Sequence, residues 1–501
     1  MNKLISLVLS CFLFTSCMFF DLPYEKSKEW TLMFYLAGDS NNIESCLLDN
    51  VWQMKMGYSG GCNVIILFDG KDPNAGNKVS LFDASYEVLY ERAFGEYFVG
   101  SAMFRMEKTG AVRIYGDNDF SEMAGDEIKL NMGDPLILEK FLSYSKRNYP
   151  AKKYALFVGT HGTGSDNDNN WNSSLIDEKN NKTLFLPLYA FSSDDSGLGE
   201  PDDGEWDYIT LSEIEEIGKN LPVPKLDLFV LDVCYMANYE FLCQVYANEY
   251  LKPDYFVSCP SEQGIFGMNY KDILRYLNPL WNKNVNARDF AQYIVDIYYE
   301  YTINNPEKWT SIANGGDYAN KQTITAVEGA KLQDLKNALD SFATQIHQDN
   351  RIKDFHDLSW HNLNRNGVLY YFPDNEVAKN AFPYFDIYDM AYRVSKNQIF
   401  TEVKEKALDV CSACDAAVLR SYTGNLYYGK NDEAGDFSFE RPVPHATGIS
   451  IFFPRSQKYF SWQSTYDKIW TSRYSDDYFI DFENNPTGHA RNWYELLKEI
   501  D

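Results

Sequence analysis

Short runs of apolar residues, each closed by glycine or polar residues, recur through the first half of the chain. Residues 30–37, 63–69, 154–159, 228–231 and 255–258 are such runs. Their apolar positions are nearly continuous rather than alternating, which is the pattern of strands buried on both faces. Between them the spacing becomes helical. Residues 43–56 predict one helix. Asn131-Met132-Gly133-Asp134-Pro135 predicts the start of a second, running to about Tyr149, with Pro135 suited to the first turn. After Cys234 a third helical pattern places Met236, Tyr239, Leu242, Cys243 and Tyr246 on one side. Strand and helix in succession imply an α/β fold with a parallel sheet. Residues 78–116 alternate in short strand-like pieces, expected as hairpins at the sheet's edge. Thr210 and Glu213 match a capping box at a helix start. Residues 284–352 predict mainly helix, and the C-terminal third mixes strands with helices, notably at 367–373 and 448–454. There is no internal repeat and no low-complexity linker.

Candidate chemistry lies at two strand ends. In open parallel sheets, ligands and catalytic groups gather at the carboxyl ends of strands. Residues 154–159 lead into Thr160-His161-Gly162, and 228–231 into Asp232-Val233-Cys234. A cysteine between a buried strand and a helix N-terminus is expected in the positive end of the helix dipole, which favours the nucleophilic thiolate. The two ends together suggest an imidazole beside a thiolate. Spacing alone leaves a plainer alternative, since a core cysteine and a His-Gly turn produce the same letters. Gly159 to Gly164 is glycine-rich after a strand, but it lacks the lysine of a phosphate cradle, and Asp166 and Asp168 would repel phosphate. The sequence holds no HExxH and no GxSxG, and the other histidines show no metal-ligand spacing.

His-Gly ending one strand and Asp-x-Cys-x-Met ending the next resemble the clostripain family of cysteine peptidases. The strand at 30–36 with Asp39 after it, Met132-Gly133-Asp134, Ser261-Glu262 and the segment 448–454 extend the resemblance. It implies a caspase-like, mostly parallel sheet flanked by helices over 29–283, with a mixed α/β region over 284–501 packed on that core. It also implies His161 as general base and acid and Cys234 as nucleophile, acting through a thioester. Gly162 and Cys234 N–H would form the oxyanion hole. Asp232 would lie at the base of a pocket walled by Ser261 and Glu262 and selecting arginine or lysine. The chemistry itself would require no cofactor. Self-cleavage is expected in the polar insertion 165–205, at Lys179 or Lys182. Carboxylates there could supply oxygen ligands to Ca2+, but their spacing is not that of an EF-hand, and a solvated acidic loop explains them as well.

Composition narrows the setting. Lys and Arg number 46 against 72 Asp and Glu, so the net charge of -26 argues against nucleic acid as a partner. Aromatic content of 16% argues against disorder. Residues 1–17 read as a targeting segment, with Lys3, an apolar core and Phe14-Thr15-Ser16-Cys17, which resembles a lipobox. Cys17 would carry the lipid and 18–28 would be a tether, placing the protein in a bacterial cell envelope, periplasmic or surface-exposed, with membrane contact through the anchor. Beyond Cys11 and Cys17, seven cysteines remain, an odd number and too few for a disulfide scaffold. Cys411 and Cys414 form a lone CxxC in a helical stretch, expected as core-facing thiols. A non-catalytic surface lipoprotein that binds peptides or glycans would also fit the aromatic content, acidity and anchor, but would not require both His161 and Cys234.

Overall fold

The computed structural model describes residues 28–39, 43–70, 82, 84–125, 128–162, 174–177, 182–185, 191–194, 207–211, 213–264, 266–280, 284–305, 322–360, 368–371, 383–423, 447–455 and 491–500. The apolar runs become strands β1 (Lys28–Ala37), β2 (Asn63–Gly70), β5 (Ala151–Gly159), β10 (Leu228–Asp232) and β11 (Tyr255–Ser258). They lie parallel in the order β11-β10-β5-β1-β2. An antiparallel hairpin, β3 (Gly100–Glu107) and β4 (Gly110–Ile114), extends the sheet beyond β2. On the other side β12 (Thr323–Glu328) and β14 (Val418–Thr423) extend it beyond β11. Among the described residues, nine strands thus form the central sheet.

Residues of β1 show why the apolar runs are unbroken. Met33, Tyr35 and Ala37 enter the core on one face, and Trp30, Leu32, Phe34 and Leu36 enter the core on the other. Successive side chains of a strand point to opposite faces, so a sheet covered on both sides needs apolar residues at every position. Helices α1 (Glu44–Gly57), α2 (Tyr86–Ala93), α5 (Tyr270–Tyr276) and α6 (Ala287–Asn304) supply the second of these layers. The first is built by α3 (Pro135–Asn148), α4 (Tyr239–Ala247), α7 (Leu332–Gln348), α8 (Ile352–Trp360), α9 (Ile387–Lys396), α10 (Lys404–Ala417) and α11 (Arg491–Lys498). Asp134 caps α3 by accepting from Leu136 N, and Pro135 opens its first turn.

Three local expectations hold only in part. Within 78–116, residues Tyr86–Ala93 form α2 rather than a strand, because Leu89, Tyr90 and Ala93 make one buried stripe against α1 and the Phe68 side of the sheet. Within 284–352, Thr323–Glu328 is the strand β12, since pairing with β11 satisfies its backbone and buries Ile324 and Ala326. The Thr210–Glu213 box forms as predicted, with Thr210 N and Oγ1 both donating to Glu213 Oε2 at 2.9 and 2.8 Å. It opens only a short 3-10 turn, Glu213–Glu216, and not a full helix.

A two-stranded ribbon from the C-terminal part, β13 (Tyr384–Asp386) and β15 (Ser450–Phe452), reaches the loop between β10 and α4. Ser450 N donates to Ala237 O at 2.9 Å, and Phe452 N donates to Glu240 Oε1 at 3.1 Å. Among the described residues no disulfide joins the cysteines from Cys46 to Cys414, and Cys411 and Cys414 face the core from α10.

Candidate active site

Register decides the site. β10 pairs with β5 so that Asp232 stands opposite Gly159. Parallel strands leave the sheet at the same end, so Thr160-His161 and Val233-Cys234 emerge side by side. His161, Asp232 and Cys234 line one pocket of about 90 Å3, together with Asn50 from α1 and Gln263 and Gly267 from the segment after β11. That volume holds several waters or the tip of one side chain.

Immediately after the nucleophile candidate the chain turns sharply. Tyr235 adopts φ of 62°, a left-handed conformation that costs a side-chain-bearing residue roughly 1–2 kcal/mol. The conformation is held from both ends. Tyr235 N donates to Ser261 O at 3.0 Å, Ala237 N donates to Cys259 O at 2.8 Å, and the Tyr235 ring packs on Tyr384 of the ribbon with centroids 5.8 Å apart. The turn presents Cys234 toward the pocket, and Gln263 N donates to its Sγ at 3.2 Å.

The helix-dipole expectation fails. Asn238 is the N-cap and α4 begins at Tyr239, so Cys234 lies more than a turn before the helix, beyond the reach of a field that falls off within the first turn. Burial instead pushes the Cys234 thiol up to about 12; the Gln263 N–H opposes the shift, and the charges of Glu262 and Asp232 add to it. Burial also pushes His161 down to about 4. Both shifts favour the neutral form, of the thiol and of the imidazole, in the free site.

Asp232 is 8% exposed and accepts three hydrogen bonds. Gln263 Nε2 donates to its Oδ1 at 2.5 Å, while Tyr270 Oη–H and Met268 N donate to Oδ2 at 2.6 and 3.2 Å. Burial lifts its carboxyl to about 6 against the pull of these donors. Gly267, at φ of 66°, is required here: a Cβ would stand 2.4 Å from Asp232 Oδ2 and 2.8 Å from Asn50 Nδ2. Ser261 is buried and acts through its carbonyl on Tyr235, whereas Glu262 is half-buried and acts on Cys234 through its charge. Gly162 is buried directly after His161. Cys17 and Lys179 lie outside the described residues. Lys182 opens strand β7 (Lys182–Phe185), which pairs with β6 (Ser174–Asp177). Among the described residues no three His, Cys, Asp or Glu side chains are grouped to hold a metal ion. Much of the acidic insertion lies outside those residues.

Sequence reading missed Asn50 and Gln263. Gln263 directly follows Ser261-Glu262, so its neighbourhood was legible. Nothing local to Asn50 marks a residue of α1 as part of this pocket.

The same architecture recurs in known proteins. The clostripain family model matches residues 34–187 and 199–493. The chain belongs to the clostripain family. It is 26% identical to clostripain from Hathewaya histolytica over 506 residues, covering 94% of this chain and 87% of the relative. Its fold is similar to that of a secreted C11 cysteine protease from Bacteroides thetaiotaomicron in complex with an irreversible peptide inhibitor. That match has a TM-score of 0.55 at 16% identity and covers 89% of this chain and 98% of the other. An inactive zymogen C11 protease from Parabacteroides distasonis matches with a TM-score of 0.50 at 16% identity, over 88% of this chain and 98% of that one. Clostripain-family membership makes this chain a cysteine peptidase, a hydrolase of protein or peptide substrates. No helix among the described residues is long and apolar enough to cross a membrane.

Proposed function

We propose that this clostripain-family peptidase cleaves after lysine or arginine with His161 and Cys234 as its catalytic pair, outside the cytoplasm and anchored by lipid on Cys17. The observation that carries the reading is the shared pocket, in which His161, Cys234 and a buried carboxylate, Asp232, meet at the ends of adjacent parallel strands. As substrate enters, the Cys234 proton passes to the neutral His161 ring and Sγ bonds to the scissile carbonyl carbon. The carbonyl oxygen becomes an oxyanion facing the Cys234 and Gly162 N–H groups. The N–H groups of Tyr235 and Ala237 are already committed to Ser261 and Cys259, which supports assigning the role to Cys234 N–H. Imidazolium then protonates the leaving amine as the C–N bond breaks, leaving a thioester. His161 next takes a proton from water, the hydroxyl adds to the thioester, and the thiol leaves with that proton.

A basic side chain entering the pocket would meet Asp232 as its counter-charge, with Ser261 and Glu262 at the neighbouring wall. No step calls for a cofactor. The insertion 165–205, including Lys179 and Lys182, is the expected place of self-cleavage because polar loop tips are favoured nicking sites. Peptides differing only in Lys, Arg, Gln or Asp before the scissile bond test the reading. Turnover of the first two, lost in both Cys234→Ala and His161→Ala, is expected. Retained hydrolysis in Cys234→Ala, or equal turnover of all four, would overturn it. Mass spectrometry of the mature protein should find acyl chains on Cys17, and a soluble form beginning elsewhere would reject the anchor.

A further inference from the structure

We infer that the Asp232 pocket is built for a lysine ammonium in preference to an arginine guanidinium, and that Gln263 makes the distinction. The inference rests on the proposed role of Asp232 as the counter-charge of the substrate. A carboxylate offers about four lone-pair sites. On Asp232, Tyr270 Oη–H and Met268 N–H take both sites of Oδ2, and Gln263 Nε2–H takes one of Oδ1. Gly267 also closes on Oδ2, so that side is walled by backbone. One site remains, on Oδ1.

A guanidinium pairs well with a carboxylate when it meets both oxygens at once through its fork, and that arrangement is not open here. An ammonium is a point charge that needs a single site. Its remaining protons also find acceptors. Gln263 Oε1 is buried without a partner, on the same amide whose nitrogen is bound to Asp232. The amide's orientation follows from the contact, because reversing it would set its oxygen against the carboxylate. Asn50 Oδ1 and Thr160 Oγ1 are two more buried oxygens without partners on residues of the same pocket. With one proton on Asp232 Oδ1, the ammonium's other two have three buried oxygens to choose from. A guanidinium brings five donors in a rigid plane and leaves more of them unsatisfied, each at a cost.

The test is the ratio of kcat/KM for two peptides differing only in Lys or Arg before the scissile bond. The wild-type enzyme should favour lysine by about tenfold or more, the worth of one hydrogen bond to a charged group. Gln263→Met keeps the length and bulk of the side chain and leaves the backbone N–H on Cys234 in place. It removes Oε1 and reopens the second site on Oδ1, so the ratio should fall to about one or invert. Both peptides are read on one preparation, so a partly folded variant does not disturb the ratio. A simple alkylamine should also inhibit the wild-type enzyme more tightly than an alkylguanidine of the same chain length, which needs no variant. Arginine turned over as well as or better than lysine by the wild type would overturn the inference while leaving a basic-specific peptidase standing. An unchanged ratio in Gln263→Met would overturn the role of Gln263. Equal turnover of neutral peptides would remove the proposed function itself.

Discussion

Lowering the pH from about 7 to about 5 should cost this peptidase roughly tenfold in kcat/KM on a lysine peptide, with Asp232 as the titrating group. Burial holds the Asp232 carboxyl up to about 6 and the His161 imidazole down to about 4. A raised carboxyl loses its charge as the pH falls through that value, and with it the counter-charge proposed for a basic substrate side chain. About nine tenths of the Asp232 population is charged near pH 7 and about one tenth near pH 5. Over the same interval His161 remains neutral and able to accept the Cys234 proton. The acid limb of the free enzyme should therefore sit near 6 for a lysine peptide and near 4 for a peptide with a neutral residue at the same place. The assay is kcat/KM against pH at fixed ionic strength for both peptides, repeated with Asp232→Asn. That variant should lose roughly thirtyfold or more on the lysine peptide, as expected when one partner of a buried charge pair is removed. Its remaining activity should show no limb near 6. A limb that stays near 6 in Asp232→Asn, or that is equally strong with the neutral peptide, would refute the reasoning and assign the titration to His161.

Other substitutions probe the supports of the site. Gly267→Ala would drive a methyl into Asp232 and Asn50 at a left-handed position, so stability measured in urea should fall by roughly 1–3 kcal/mol and KM for basic peptides should rise. Unchanged values of both would show that the segment relaxes freely. Asp386→Ala would strip the acceptor from Asp389 N, Tyr371 Oη–H, Thr447 N and Gly448 N. Thermal or urea unfolding should report a loss of about 3 kcal/mol or more, since each buried donor left unpaired is costly. Ser450→Pro removes the N–H that holds Ala237, and kcat should fall more than KM rises as the Cys234 turn loosens. Wild-type kcat in a folded Ser450→Pro would show that the ribbon does not support the turn.

The sequence by itself determined the elements whose cause is local. Unbroken apolar runs become strands covered on both faces, and Asp134-Pro135 starts α3 because a cap and a fixed φ are properties of those two residues. His161 and Cys234 were legible because strand ends are where a buried parallel sheet gives way to solvent. Tertiary structure decided what depends on distant parts of the chain. The neighbouring positions of β5 and β10 turn two separate motifs into one pocket. Residues 323–328 became a strand because β11 offered an edge to pair with, which no local pattern announces. The Cys234 thiol was expected to be lowered by a helix dipole, but the helix starts too late and desolvation by the surrounding fold raises it. The partners of Asp232 came from segments that only folding brings together, Gln263, Met268 and Tyr270, and Asn50 of α1 joins them in lining the pocket. Periodicity and capping are fixed within a few residues, whereas desolvation and the filling of a carboxylate's lone pairs are set by whatever the completed fold packs around them.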